Sequence, residues 1–170
     1  GHPLSMAGGV AVLDALQRRR PYERLDRTAC QLADGLTDLA RERGIPMNVN
    51  RAGSMLSVFF STRPIRSGRE ATAADRPRFA RWARHLRDRG ILIPPSPFES
   101  LFVTAAHTDE HVARVLEVSK AAFQMMRNEK DVNPAPRAKA RGTLPFGPFR
   151  KIGAGANNIN FIQIRKIQPD

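Results

Sequence analysis

Hydrophobic positions along the chain fall into four segments of helical character and a set of short strand-like runs. Residues 4–20 carry Met6, Ala7, Val10, Val12, Leu13 and Leu16 with no clean polar face. Apolarity on all sides predicts a helix buried on more than one side. Pro3 suits its first turn, where a missing N–H costs nothing. Arg18, Arg19 and Arg20 suit its end, where cations meet the negative pole of the helix dipole. Pro21 restarts the chain. Tyr22, Leu25, Ala29, Leu32, Leu36 and Leu39 then recur at steps of three and four. That spacing predicts an amphipathic helix ending near Arg43, with Gly44 as its stop.

Past Ile45-Pro46 the period changes to two. Residues 47–51 and 55–60 read as strands joined by a turn at Ala52-Gly53-Ser54, where Gly53 supplies a backbone conformation that a Cβ resists. Residues 61–73 are polar and broken by proline, which predicts a loop. A third helix runs from Asp75 or Arg76 to Arg89, with Phe79, Trp82, Ala83 and Leu86 on one face and Gly90 after it. Two short strand-like runs follow, residues 91–93 and 101–103. A fourth helix is capped by Thr108, carries Asp109 and Glu110 in its first turn and extends to about Met126. Its apolar face is Val112, Val115, Leu116, Phe123 and Met126, with Ser119 among them.

After Asp131 the period is lost among prolines, glycines and asparagines. Residues 159–164 could make one strand, but a strand without a partner is not stable. Residues 131–170 are therefore expected to be a disordered or loosely attached basic tail. The organisation expected is a helix over residues 1–20, a compact α+β unit over 21–130, and this tail.

Composition narrows the chemistry. The 170 residues suit one ordinary domain. No apolar run approaches the ~20 residues of a membrane span, and no signal-peptide pattern opens the chain. Residue 1 is Gly, not Met, and reads as an interior cut point. A single cysteine, Cys30, excludes an internal disulfide framework and is expected to be a small core residue. The formal charge of +12 invites a nucleic-acid reading. Acids are mixed among the bases, however, and aromatics are few, so a solvated, arginine-biased surface partly covered by another domain is favoured. The arginines of the third helix are either solvated or an interface to an acidic partner. Ala7-Gly8-Gly9 lies in a helix and suggests close packing, not a phosphate cradle. His107 and His111 need not share a face, and the four histidines make no metal cluster by spacing.

One stretch has the character of a site. In residues 94–108 a single carboxylate, Glu99, stands in an apolar, proline-stiffened run flanked by strand-like segments. Either it is a functional acid held between strands or it is a solvated loop carboxylate.

Four motifs in order carry a resemblance: Gly1-His2-Pro3-Leu4-Ser5-Met6-Ala7, Asn50-Arg51-Ala52-Gly53-Ser54-Met55, Ser96-Pro97-Phe98-Glu99-Ser100-Leu101-Phe102, and Ala106-His107-Thr108-Asp109-Glu110. Over residues 1–126 the chain resembles the C-terminal part of class III pyridoxal-phosphate aminotransferases, and most of all the glutamate-1-semialdehyde 2,1-aminomutases. The resemblance implies the small C-terminal domain of a fold-type-I enzyme, a long linking helix followed by helices packed on a short antiparallel sheet. It implies a cytoplasmic homodimer acting on a small amino-acid substrate in 5-aminolevulinate and tetrapyrrole synthesis. The cofactor, pyridoxal 5′-phosphate, would be held by a large domain that also supplies the Schiff-base lysine. None of Lys120, Lys130, Lys139, Lys151 and Lys166 stands in the family's lysine context, so the segment is expected to be inactive alone. Glu99 corresponds to the glutamate that reaches the substrate side of the cofactor pocket, and Asn50, Arg51, Gly53 and Ser54 to a mainly structural strand-turn motif. His2, Pro97 and Ser100-Leu101 depart from the family's usual Asn, Gln and Ala-Gly.

Overall fold

The computed structural model describes the backbone of residues 1–132 and 163–164, with side chains described through residue 127. The elements, in order, are α1 (Pro3–Arg19), α2 (Tyr22–Glu42), β1 (Asn48–Ala52), β2 (Met55–Phe59), α3 (Gly68–Thr72), α4 (Arg76–Arg87), β3 (Ile91–Leu92), β4 (Leu101–Phe102), α5 (Asp109–Val132) and β5 (Gln163–Ile164). Helices on a small antiparallel sheet make this the α+β architecture that the periodicity predicted.

Helix α2 follows its sequence pattern closely. Thr28, Ala29, Leu32, Ala33, Leu36 and Ala40 are buried along one face. Its end is a Schellman motif. The Gly44 N–H donates to the Arg41 carbonyl at 3.1 Å and the Ile45 N–H to the Ala40 carbonyl at 2.9 Å. Gly44 takes the left-handed φ of +63° that this motif needs, and Ile45 is buried beside it. Gly35 lets α2 approach α5: a Cβ there would lie 2.6 Å from Leu116 Cδ1.

Strands β1 and β2 form a hairpin in which Ala52 faces Met55 across the two-residue loop Gly53-Ser54. Gly53 has φ +56°, the positive value at the first loop position that matches the right-handed twist of the strands. The sheet order is β1-β2-β4, with Leu56 opposite Leu101. Alternation gives this sheet two distinct faces. Val49, Leu56, Val58, Leu101 and Val103 face α2, α4 and α5 and join the main core. Phe60, Phe79, Trp82 and Phe123 meet there in edge-on and stacked contacts at 5.6–6.4 Å. The buried Trp82 Nε1–H donates to Ser119 Oγ at 3.1 Å, so the ring's one polar atom is satisfied. The opposite face is partly roofed by residues 61–74, where Phe59, Ile65, Ala71 and Ala74 make a second small core. Asn48 and Asn50 hold this roof: their side-chain amides donate to the carbonyls of Ser61 and Arg63, and of Ile65, at 2.8–2.9 Å.

The structure corrects several expectations. Residues 61–73 are not all loop. Ser67-Gly68-Arg69-Glu70 starts α3, with Ser67 Oγ accepting from the Glu70 N–H at 3.3 Å and Glu70 Oε2 accepting from the Arg66 N–H at 2.5 Å. These contacts, first the Arg66 N–H, hold the Glu70 carboxyl below its ordinary pKa. Helix α1 buries none of its residues, against the expectation of burial on several sides. A Cβ at Gly8 or Gly9 would meet nothing within 4 Å, so these glycines make no close packing among the described residues. Cys30 is half-exposed and not a core residue; its Sγ lies 3.2 Å from Asp34 Oδ2, which raises the thiol's pKa. The strand-like runs around Glu99 do not pair with each other. β4 completes the main sheet, whereas β3 pairs with β5, with Ile91 opposite Ile164. The strand at 163–164 therefore has a partner, contrary to the reading of an isolated one. The rest of the expected tail, residues 133–162 and 165–170, lies outside the described residues.

Candidate functional site

The site is best approached from β2. Its central residue, Ser57, faces Asn50 on β1, and continuing the β2–β4 register brings it to Ser100. The two serine hydroxyls lie 3.3 Å apart. This row runs along the face of the sheet turned away from the main core. One end of that face is covered by residues 61–74. At the other end Met55 remains 39% exposed, too large and apolar a group to be indifferent to solvent.

Glu99 sits one residue before Ser100, in the turn that delivers the chain to β4. Two buried prolines, Pro94 and Pro97, anchor the turn. The Glu99 N–H donates to the Ser96 carbonyl at 3.2 Å, and Ser96 Oγ accepts from the Phe98 N–H at 3.3 Å. Proline fixes φ and removes backbone donors, so such a turn holds its shape with few ladder bonds. The Glu99 carboxylate is half-buried. Beside it Phe98 is 48% exposed, and the Arg76 guanidinium lies 5.4 Å over its ring, a cation–π contact that fixes the ring. The turn thus brings together an acid, a hydroxyl pair and an aromatic side chain at the Phe59 end of β2, away from Met55.

The remaining motif residues hold the framework. The Arg51 guanidinium donates to Asp26 Oδ1 at 2.5 Å and to the Gly53 carbonyl at 3.0 Å, tying the hairpin to α2. Asp26 thereby raises the Arg51 pKa further. The Val103 N–H donates to the Ser54 carbonyl at 2.9 Å, tying the same turn to the end of β4. The loop before α5 repeats one device twice. Thr104 N–H donates to His107 Nδ1 at 2.9 Å, and Thr108 N–H to His111 Nδ1 at 3.1 Å. Arg24 clamps this loop through the Ala105 carbonyl at 2.7 Å. The His107 and His111 rings do meet, with centroids 6.0 Å apart, but both Nδ1 atoms are occupied by backbone donors. Among the described residues no group of three His, Cys, Asp or Glu is placed to hold a metal ion. A polar cleft of about 350 Å³ lies between α2 and this loop, lined by Arg24, Arg27, Thr28 and Gln31 with His107 to Asp109. It does not include Glu99.

The sequence singles out Glu99 and the strand-turn motif, but it gives no sign of the Ser57–Ser100 pair or the Arg76–Phe98 contact. The serine pair depends on the register between strands 43 residues apart, for which the local sequence holds no signal.

No family model matches the chain. Comparison with individual proteins is more informative. The chain is 42% identical over 124 residues to glutamate-1-semialdehyde 2,1-aminomutase 2 of Brevibacillus brevis, which covers 73% of this chain and 29% of the relative. The corresponding enzymes of Desulfosudis oleivorans and Thermomicrobium roseum are 40% and 42% identical over 123 residues, 72% of this chain and 29% of each relative. Among solved structures, an omega-transaminase from Sphaerobacter thermophilus matches with a TM-score of 0.60 and 25% identity, over 72% of this chain and 28% of that one. The FumI protein of Sphingopyxis sp. MTA144, solved in its PLP internal aldimine form, matches in fold with a TM-score of 0.53 over 69% of this chain and 26% of that one. The fold is therefore that of the C-terminal part of PLP transaminases, and the class III aminotransferase family fits these likenesses. The relatives by sequence are named glutamate-1-semialdehyde 2,1-aminomutases, and the chain spans about 29% of their length.

Proposed function

We propose that this chain is the small domain of a PLP-dependent glutamate-1-semialdehyde 2,1-aminomutase, in which a large domain or subunit completes the active site. The observation that carries the reading is the 37–42% identity to aminomutases over nearly three quarters of the chain. The site geometry supports it. The Glu99 turn leads into a sheet face whose far end, at Met55, is exposed, and Phe98 beside Glu99 is exposed too; a docking domain would cover these apolar groups.

The described residues do not by themselves fit the cofactor. The neighbourhood of Glu99 offers one carboxylate, two hydroxyls and an arginine committed to Phe98, with no cradle of backbone N–H groups for a phosphate. The cofactor would be held by the large domain, along with the lysine that carries it. What this chain supplies is positioning. Glu99, on a stiff turn pinned by the serine pair, would accept a hydrogen bond from an amino group of the substrate and orient it. The complete enzyme would work as a cytoplasmic homodimer and move the amino group of glutamate-1-semialdehyde between adjacent carbons to give 5-aminolevulinate. No helix among the described residues is long and apolar enough to cross a membrane.

The structural match to an omega-transaminase favours one second reading, transfer to an external keto acid. The test is to co-express the chain with the lysine-bearing domain of an aminomutase relative and assay both reactions. Formation of 5-aminolevulinate without an added keto acid, reduced at least tenfold by Glu99→Gln, supports the aminomutase. Turnover that requires an external keto acid supports the transaminase.

A further inference from the structure

The surface of α4 is not used by the site described above. Six arginines, at positions 76, 78, 81, 84, 87 and 89, stand on this helix and the turn after it, against one acid, Asp88. Arg78 faces its cap Asp75 at 3.6 Å, Arg76 covers Phe98, and Arg89 donates to the His85 carbonyl at 3.3 Å. Arg81 and Arg84, one turn apart on α4, are both exposed. Beside them a groove of about 190 Å³ separates α4 from α5, with Arg84 and Asp88 on its rim and His85, Met125 and Met126 in its lining. Met125 is 48% exposed there.

His85 makes the groove unusual. The ring is buried, and its Nδ1 faces the Arg89 Nη1 at 3.2 Å. Because a guanidinium only donates, Nδ1 must accept, which places the ring proton on Nε2. Nε2 is buried and has no hydrogen-bond partner. Buried donors are nearly always paired, so an unpaired one in the lining of a cationic groove suits an incoming acceptor.

We propose that this groove docks an acidic amphipathic helix of a partner protein. Carboxylates spaced one turn apart would meet Arg81 and Arg84, and an apolar side chain would press on Met125 and Met126. Methionine adapts its shape to such a ligand, and helix-in-groove recognition uses anchors at this spacing. A second copy of the chain is a poor occupant, because it brings the same basic surface and a formal charge of +12. Nucleic acid fits less well, since the floor is aliphatic and sulfur-lined, Asp88 stands on the rim, and no Phe, Tyr or Trp lines the groove for base stacking.

The test measures fluorescence anisotropy of the full 170-residue chain with a labelled synthetic helix carrying glutamates on one face and leucines on the other. Binding should weaken as NaCl rises. The double variant Arg81→Glu and Arg84→Glu should weaken it at least tenfold, as should Met125→Glu. Arg41→Glu, on the remote surface of α2, should leave it unchanged. Melting curves of all variants guard against loss of fold; a variant that fails to fold is replaced by its glutamine counterpart. The idea is overturned if the peptide does not bind, or if Arg41→Glu weakens it as much as the α4 variant. It is equally overturned if the α4 variant binds normally, or if duplex DNA of equal charge displaces the peptide as well as unlabelled peptide does.

Discussion

Helices α1 and α2 are neighbours in sequence and comparable in length, yet they relate to the rest of the molecule in opposite ways. Helix α2 concentrates its apolar residues on one face and buries six of them. Helix α1 is more apolar overall and buries none, leaving Leu4, Met6, Val10 and Leu13 each more than 60% exposed. A clean 3.6-residue period tells where a helix meets its own chain. Apolarity all round, without burial, points to a partner outside the described residues. This is the structural counterpart of a chain that spans about 29% of its relatives' length.

The largest test of that contrast removes one anchor from each region. Trp82→Ala, which deletes the centre of the aromatic core, should cost about 3–5 kcal/mol in urea unfolding. Leu13→Ala on α1 should stay within about 0.5 kcal/mol. A large cost for Leu13→Ala in the isolated chain would mean that α1 has a partner within it. The glycines sharpen the comparison next. Gly35→Val drives side-chain atoms into Leu116 and should destabilise by about 1–3 kcal/mol. Gly9→Ala meets open space and removes a poor helix former, so it should stabilise α1 by about 0.5–1 kcal/mol, read as a gain in helicity by circular dichroism.

The subtlest effect is a pH dependence confined to the compact unit. Burial, with the Arg89 charge adding to it and Asp88 opposing, holds His85 below the ordinary histidine pKa. The unfolded chain therefore takes up a proton as pH falls through about 6.5, while the folded chain does not until a lower pH. The His85 contribution is intact above that range and is lost as the medium acidifies. Urea midpoints at neutral and mildly acidic pH should show this loss, and His85→Phe should reduce it. Helix α1, with no such group buried, should contribute nothing to it.

How much of this was legible depended on whether the signal was local. The period of α2, its Gly44 stop, the Gly53 hairpin and the Phe79, Trp82 and Leu86 face of α4 each occupy one short window, and all appear in the structure. Helix α3 was also written locally, as Ser67-x-x-Glu70, but the surrounding prolines and charges obscured it. Glu99 stood out because a lone carboxylate in a proline-stiffened apolar run is rare. Its setting was not legible. Which strands flank it, and that Ser100 reaches Ser57, follow from strand pairing of two residues on each side, fixed by the packing of the whole unit. The contrast of α1 was legible as apolarity and misread as internal burial, because composition reports that a surface seeks cover but not which chain provides it.

The central claim is that this chain supplies one wall of a site whose cofactor-bearing lysine lies elsewhere. It is tested most directly by adding pyridoxal 5′-phosphate to the isolated chain and recording the visible absorption spectrum. The account predicts no Schiff-base band that depends on one lysine. A band abolished by substituting any single one of Lys120, Lys130, Lys139, Lys151 or Lys166 would contradict it.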